Sequence, residues 1–205
     1  MKKKKLKDIC TMITDGSHYS PPSVENGFPI ASVKDMHDYG IKLDDCRKIS
    51  ESEFNKLVSN GCKPQIGDVL IAKDGSYLKH VFVIEDEPQY VVLSSIGIFR
   101  PNLEIVNPYY LKYLFLNKSF KKYVSNGFVS GTALKRIVLK AFKEISLYLP
   151  SIEEQNVIVS KIKPIDEVIK NNKNLISLLE EYIQLLFHKW FVDFNFPNEE
   201  GKPYK

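Results

Sequence analysis

The chain of 205 residues is poor in cysteine, in arginine and in long apolar runs. Its three cysteines, Cys10, Cys46 and Cys62, are odd in number, widely spaced and form no Cys-x-x-Cys. That excludes a disulfide framework and a cysteine zinc site, and it suits a reducing compartment. No segment approaches the roughly 20 apolar residues of a membrane span. The basic start, Lys2 to Lys5, is not followed by the apolar run of a signal peptide, because Lys7, Asp8, Thr11 and Thr14 interrupt it. A soluble cytoplasmic protein with no membrane partner is expected. Hydrophobic residues are nonetheless 43% and charged residues 26%, enough for a real core, which excludes a mainly disordered chain.

Recognisable chemistry is also missing. The four histidines, His18, His37, His80 and His188, are nowhere paired at metal-ligand spacing. There is no GxGxxG, no P-loop and no GxSxG. Pro21-Pro22 stands between Ser20 and Ser23, so the Asn/Asp-Pro-Pro-aromatic motif of adenine methyltransferases is absent. The one acidic-x-Lys pattern considered for a nuclease, Glu200-x-Lys202, lies in the tail. The expectation is a chain with no catalytic residue, no metal and no cofactor of its own.

What is present is an uneven charge distribution. Residues 1–150 hold 22 basic and 16 acidic residues, whereas residues 151–205 hold 7 basic and 9 acidic. Four of the basic residues form the Lys2 to Lys5 run, read as a frayed tail. The sharper feature lies between Glu104 and Glu144, where no acid occurs but Lys112, Lys118, Lys121, Lys122, Lys135, Arg136, Lys140 and Lys143 do. Such a stretch suits a surface that faces phosphates, where neutralisation releases counterions. Only Arg47, Arg100 and Arg136 could offer guanidinium forks to guanine, so base readout would lean on lysine or on few contacts.

The hydropathy pattern gives two regions. Residues 1–150 are strand-rich. Strands are expected at Phe28–Val33, after the turn at Ile66-Gly67 through Ala72, at Val81–Ile84 and Tyr90–Leu93 around an acidic turn, at Ser95–Arg100, and at Glu144–Leu149 before Pro150. Ser50-x-x-Glu53 is a capping box for a short helix. Asn107 and Pro108 can open a second, running to about Val124 and closed by Asn126-Gly127. From Ser151 to Trp190 there is no glycine and one proline. Ser151 with Glu154 can cap a helix whose apolar seam runs Ile152, Gln155, Val159, Ile162, Ile165, Ile169, Asn172, Ile176, Leu179, Ile183, Leu186 and Trp190. Alternating steps of three and four are the coiled-coil period. A doubled three near Ile165 is a stammer beside Pro164, where a kink or break is expected. Such a helix, about 58 Å long, needs a second long helix as partner. The fold class is therefore α+β: a strand-rich globular domain over 1–150, a long coiled-coil-forming helix over 151–190, and a connecting tail over 191–205.

Three turn-rich loops are candidate contact surfaces. The first offers Thr14, His18 and Tyr19. The second offers Lys73, Ser76, Tyr77, Lys79 and His80, of which Lys73, Tyr77, Lys79 and His80 are the favoured base readers. The third offers Ser130, Thr132, Lys135 and Arg136. Hydroxyls, lysines and amides on such turns can bond phosphates and base edges; the same residues are also ordinary turn chemistry.

Taken in order, these features resemble the specificity subunits of type I restriction-modification systems over nearly the whole chain. Asp15-Gly16-Ser17-His18 with the following proline resembles the family's Asp-Gly-Thr-His-x-x-Pro opening. Gly67-Asp68-Val69-Leu70 with Gly75 resembles its central strand and loop. Leu149-Pro150-x-x-x-Glu154-Gln155-x-x-Ile158 resembles its junction between domain and helix. Trp190-Phe191-Val192-Asp193-Phe194 and Gly201-Lys202-Pro203-Tyr204 are similar to its connecting region. The resemblance implies a DNA target-recognition domain reading half of a split double-stranded site. It implies a spacer helix packing against a second such helix, here as an antiparallel homodimer through Ile162, Ile165, Ile169, Asn172, Ile176, Leu179, Ile183, Leu186 and Trp190. Catalysis would belong to an adenine-N6 methyltransferase subunit using S-adenosylmethionine and to an ATP- and Mg-dependent restriction and translocase subunit. Two departures stand out: one domain and one helix where the family typically has two of each, which fits either a natural half-subunit or a fragment ending in the linker, and Pro164 in the helix. A coiled-coil adaptor that binds only proteins is the alternative reading; the acid-free basic stretch favours DNA.

Overall fold

A computed structural model describes residues 2–75, 77–131 and 136–202 of the chain. Two compact units divide it at Val159/Ser160, two turns inside the long helix rather than at its start.

The first unit is built around a four-stranded sheet. Its strands are β2 (Cys10–Asp15), β5 (Val69–Ala72), β6 (Val81–Val83) and β8 (Ile96–Pro101), in the antiparallel order β2-β8-β5-β6. A smaller sheet places β3 (Phe28–Ala31) between β4 (Arg47–Ile49), antiparallel, and β7 (Val91–Val92), parallel. The uninterrupted apolar run Val69–Ala72 is explained by burial on both faces. Val69 and Ile71 enter a core with Phe99, Phe115, Phe120 and Phe142, while Leu70 and Ala72 enter another with Ala31, Met36, Val92 and Ile98. A third core sets Ile30, Ile49 and Val91 against Phe54 and Leu57 of helix α1 (Glu51–Ser59). As expected, Ser50 caps α1 by accepting from the Glu53 N–H. Val81–Val83 and Val91–Val92 are strands, but they join different sheets and do not pair as neighbours across the acidic turn.

The expected helix from Asn107 to Val124 is two helices. α2 (Pro108–Leu116) is capped by Asn107, and α3 (Lys118–Gly127) by Asn117. The Asn117 carboxamide oxygen accepts from the N–H groups of Ser119 and Phe120 at 2.9 and 3.2 Å, so it starts a new helix in mid-pattern. A short α4 (Leu139–Glu144) precedes β9 (Ser146–Leu149).

Lys2–Lys5 is not a frayed tail. It forms strand β1, antiparallel to β9, with Lys2 opposite Leu149 and Lys5 opposite Ser146. Leu6 and Ile9, fully buried just beyond it, anchor the strand, and Glu144 accepts hydrogen bonds from both Lys5 and Lys7.

The long helix α5 (Ile152–Phe187) ends in a π-helical turn, His188–Val192. Its capping box is complete: the Glu154 N–H donates to Ser151 Oγ at 3.3 Å, and the Ser151 N–H donates to Glu154 Oε2 at 2.9 Å. The break expected at Pro164 does not occur, because the helix continues through it. Proline removes one donor and costs about 3 kcal/mol in a helix interior, which this long segment absorbs. The stammer also has an explanation. Gln155 and Val159 are buried in the first unit, while Ile158 is exposed, so the outward stripe starts at Ile158. Read as Ile158, Ile162, Ile165, Ile169, Asn172, Ile176, Leu179, Ile183, Leu186 and Trp190, its steps alternate four and three without interruption. Among the described residues no helix is long and apolar enough to cross a membrane.

The Lys5 and Lys7 hydrogen bonds hold the Glu144 carboxyl down, from the ordinary 4.5 to about 2. A depressed value means the pairing is fully present above about 4.5 and is lost as pH falls towards 2. Amide hydrogen exchange in Lys2–Lys5 is therefore expected to accelerate over that acid window, beyond its intrinsic pH dependence, and Glu144→Gln should abolish the extra acceleration.

Candidate nucleic-acid interface

β2 and β5 flank β8 and run parallel to one another, so the loops that follow them leave the sheet at the same end. The loop after β2 carries His18 and Tyr19; the loop after β5 carries Tyr77, Lys79 and His80. The third expected loop joins them. Ser130 and Arg136 exchange backbone hydrogen bonds of 2.9 Å in both directions, Asp74 bridges to Arg136, and the Ile137 N–H donates to the Lys73 carbonyl at 3.1 Å. Three segments far apart in sequence thus converge. Ser76, Thr132 and Lys135 lie outside the described residues.

The convergence is held by a buried cation. Lys73 Nζ lies 3.3 Å from Asp15 Oδ2 and 3.5 Å from Asp74 Oδ1. Lys73 is 6% exposed, so this favoured base reader is turned inward and serves as an internal tie. The other oxygen of Asp15 meets His18 Nε2 at 3.3 Å. Gly16 is required next to it: a Cβ there would lie 1.9 Å from the Val92 carbonyl oxygen, on which the Ser17 N–H also bonds at 2.9 Å. Ser17 Oγ donates to the Tyr19 carbonyl at 2.6 Å. The Asp-Gly-Ser-His segment is therefore a built corner that presents His18 and Tyr19, both exposed, rather than a contact surface along its whole length. Lys56 Nζ sits 5.3 Å over the Tyr19 ring. Thr14 is half-buried within β2.

The second loop packs against α3 and against residues 37–39, a neighbour that the sequence did not signal. Tyr77 Oη is 3.1 Å from Ser125 Oγ, and His80 Nδ1 is 3.1 Å from Asp38 Oδ1. Burial pushes the His80 imidazole below its ordinary value, partly offset by Asp38. Lys79 is exposed.

The basic stretch divides in two. Lys112 is 4% exposed, with its ammonium 5.0 Å from the Tyr39 ring and 5.3 Å from the Tyr113 ring. It is a packing residue, not a phosphate-facing one. Lys118, Lys122, Arg136, Lys140 and Lys143 are exposed. α3 buries Phe120 and Val124 and turns Lys118, Ser119, Lys122, Ser125 and Asn126 to solvent.

The other two arginines hold the frame. Arg100 grips the fully buried Asp68 through two hydrogen bonds of 2.8 Å. Arg47 donates to the Pro21 carbonyl and to Ser20 Oγ, each at 2.6 Å. Of the three guanidinium groups, Arg136 alone is exposed. The junction residues are equally structural. Gln155 accepts from the Asn107 N–H at 3.0 Å and donates to the carbonyls of Ile105 and Pro150 at 3.0 and 3.1 Å. No cluster of three or more potential metal ligands occurs among the described residues.

A strand-rich domain followed by a long helix is also the fold of solved type I restriction-modification specificity subunits. The S subunit from M. genitalium superposes with a TM-score of 0.64 over 93% of this chain and 46% of its own, at 16% identity. The HsdS subunit from Thermoanaerobacter tengcongensis superposes at 0.53 over 93% and 44%, at 19% identity. The type I restriction modification DNA specificity domain matches residues 1–181, and the chain belongs to that family. In sequence it is 33% identical over 135 residues to the type I restriction enzyme HindI specificity subunit of Haemophilus influenzae, covering 63% of this chain and 28% of the relative. The chain thus spans less than half the length of these relatives.

Lys73→Met leaves two carboxylates facing each other without their cation. The expected cost is about 3–5 kcal/mol in urea unfolding, and adding Asp15→Asn should recover part of it.

Proposed function

We propose that the chain is a DNA-reading specificity subunit whose single recognition domain reads one half of a bipartite double-stranded site. Two copies then complete the site, joined through α5 as an antiparallel homodimer. The chain itself carries out no chemistry. It docks an adenine-N6 methyltransferase subunit, which supplies the S-adenosylmethionine site, and a restriction and translocase subunit, which supplies ATP and Mg chemistry.

The observation that carries this reading is the convergence of three polar loops at one end of the sheet, in a chain whose family is a DNA specificity domain. The groups around that end divide by role, Tyr77 and His80 being half-buried and the others exposed. Arg136, Lys140, Lys118 and Lys122 supply long cationic side chains for phosphates. His18, Tyr19, Tyr77, Lys79 and His80 sit on the loops that can reach base edges. The helix supports the dimer. Its regular stripe leaves Ile165, Ile176, Leu179 and Ile183 half or more exposed, a continuous apolar surface larger than a monomer tolerates. When such a stripe pairs with a second copy of itself, the simplest closed assembly is two-fold, with one patch meeting itself. A two-fold protein reads an inverted repeat whose halves lie about one helical turn apart, ~34–36 Å.

Three experiments test the reading. Ile176→Glu with Leu179→Glu should convert a dimer to monomers in sedimentation; a wild-type chain that stays monomeric at micromolar concentration counts against it. Replacing Arg136 and Lys140 by Ala should flatten the plot of log affinity against log salt by roughly 0.9 per lost phosphate contact, whereas Lys112→Ala should leave the slope unchanged. The methylation motif made with the methyltransferase and no other specificity subunit should be an interrupted palindrome. An asymmetric motif means a different half-subunit as partner, and a dimer without DNA affinity at low salt means an adaptor.

A further inference from the structure

We infer that Asp38, at the tip of a hairpin that joins the loop end of the sheet as a fourth segment, reads a base by accepting a hydrogen bond from an exocyclic amine, N4 of cytosine or N6 of adenine. The inference rests on the DNA-reading function proposed above and adds a specificity-determining residue to it.

Topology brings the hairpin to that end. β3 runs parallel to β7, and the turn after β7 leads into β8, whose start lies where β2 and β5 finish. Ser95, in that turn, ties the segments together. Its Oγ accepts from the Val33 N–H at 3.0 Å, and its carbonyl accepts from the Lys73 N–H at 2.9 Å. The chain that leaves β3 therefore emerges beside the buried Lys73 and turns back on itself at once. The Lys42 N–H donates to the Asp35 carbonyl at 3.0 Å, the His37 N–H donates to the Gly40 carbonyl at 2.8 Å, and Met36 bridges to Ile41, so Asp38 and Tyr39 form the tip.

The hairpin is held at both ends. At its base Met36 is buried, and the buried Asp35 accepts from the Ser32 N–H at 2.8 Å and from Ser32 Oγ at 2.9 Å. At its tip the Tyr39 ring meets the Lys112 ammonium of α2, and Asp38 Oδ1 meets His80 Nδ1 at 3.1 Å. The Asp38 charge also acts on Lys121 of α3, where it partly offsets the burial that pushes that ammonium below its ordinary value.

A carboxylate on a face that meets phosphates repels DNA. Two acids of the frame avoid this by burial: the side chains of Asp15 and Asp68 are 8% and 0% exposed. The Asp38 side chain is 48% exposed, on a tip fixed from three sides. Its bond to His80 does not exhaust it, because a carboxylate offers about four lone-pair sites. By holding Oδ1, His80 fixes the direction in which the carboxylate accepts. The major groove, about 12 Å wide, admits a two-stranded ribbon, and there cytosine N4 and adenine N6 are the donors that a carboxylate can distinguish from the acceptors of guanine and thymine.

The test is selection from a randomised duplex library by the full-length chain, with the bound DNA sequenced, for wild type, Asp38→Ala and Asp38→Asn in parallel. The wild type should select cytosine or adenine at one position of each half-site, and the base selected identifies the amine. Asp38→Ala should lose roughly 5- to 150-fold of discrimination at that base pair and leave the other positions as they were. Asp38→Asn, nearly the same in shape, covers the case in which the alanine variant misfolds. A carboxamide bonds adenine N6 and N7 together, so this variant should favour adenine at that position more strongly than the wild type does, whichever amine the wild type reads. If Asp38→Asn keeps the wild-type preference at every position, with affinity raised or lowered evenly, Asp38 is a frame charge; the inference is overturned and the DNA-reading function stands. A wild-type chain that selects no sequence overturns both.

Discussion

One buried ammonium organises the end of the sheet at which the three loops converge. Lys73 closes β5 between the carboxylates of Asp15 and Asp74, and Asp15 closes the parallel strand β2 on the far side of β8. Removing three charged groups from water is costly, and the arrangement persists only while each keeps its partners. The loops that start at these residues therefore cannot move apart independently. The third loop is fastened to the same point through the Lys73 carbonyl and the backbone β-bridge between Asp74 and Arg136. A rigid corner results, from which exposed side chains can be varied without disturbing the strands beneath. That separation of frame from contact suits a domain in which only the reading residues should differ between relatives.

The same division explains what the sequence disclosed and what it hid. The strands at Phe28, Val69, Val81, Val91 and Ile96 and the helix caps were legible because β-branched runs, Ser50 and Asn107 leave local signatures, whereas β2 and β4, with few such residues, were missed. The pairing of β6 and β7 into different sheets was not, since it depends on β3 and β8, remote in sequence. Lys2–Lys5 looked like a solvated run because nothing local shows that Leu6 and Ile9 bury and that Glu144 lies opposite. A lysine is written the same whether its ammonium meets water, as at Lys122, or tyrosine rings, as at Lys112. For that reason the acid-free stretch located the basic surface but could not sort its members. Likewise the Asp-Gly-Ser-His segment was visible as a motif, whereas its role as a corner follows only from the Val92 carbonyl occupying the place of a Gly16 side chain.

The helix shows how two constraints can share one periodic pattern. Its first two turns belong to the globular unit, where the Gln155 carboxamide satisfies one backbone N–H and two backbone carbonyls. Replacing those bonds with water would leave several buried polar groups unpaired, so Gln155 is fixed by the domain and not by the coil. Read as one seam, Gln155 and Val159 spoil the heptad; assigned to the domain, they leave a stripe without a stammer. The apparent irregularity is therefore the place where one packing partner is exchanged for another. Pro164 lies just beyond that exchange, and the helix passes through it without a break.

This arrangement also bears on how the helix could serve as a spacer for the domain that it leaves. A spacer is useful only if its near end cannot swivel and its far end has a defined register. Gln155 and the Ser151–Glu154 capping box meet the first need within a single turn. In the proposed dimer the stripe from Ile158 to Leu186 would meet the second, because its steps of four and three are regular. Asn172 would place a polar side chain in one of its layers. A polar group at such a layer lowers stability but disfavours alignments that would bury it more deeply. Half-site spacing would then be encoded in the number of residues between a buried amide and the end of the stripe, and not in the recognition domain itself.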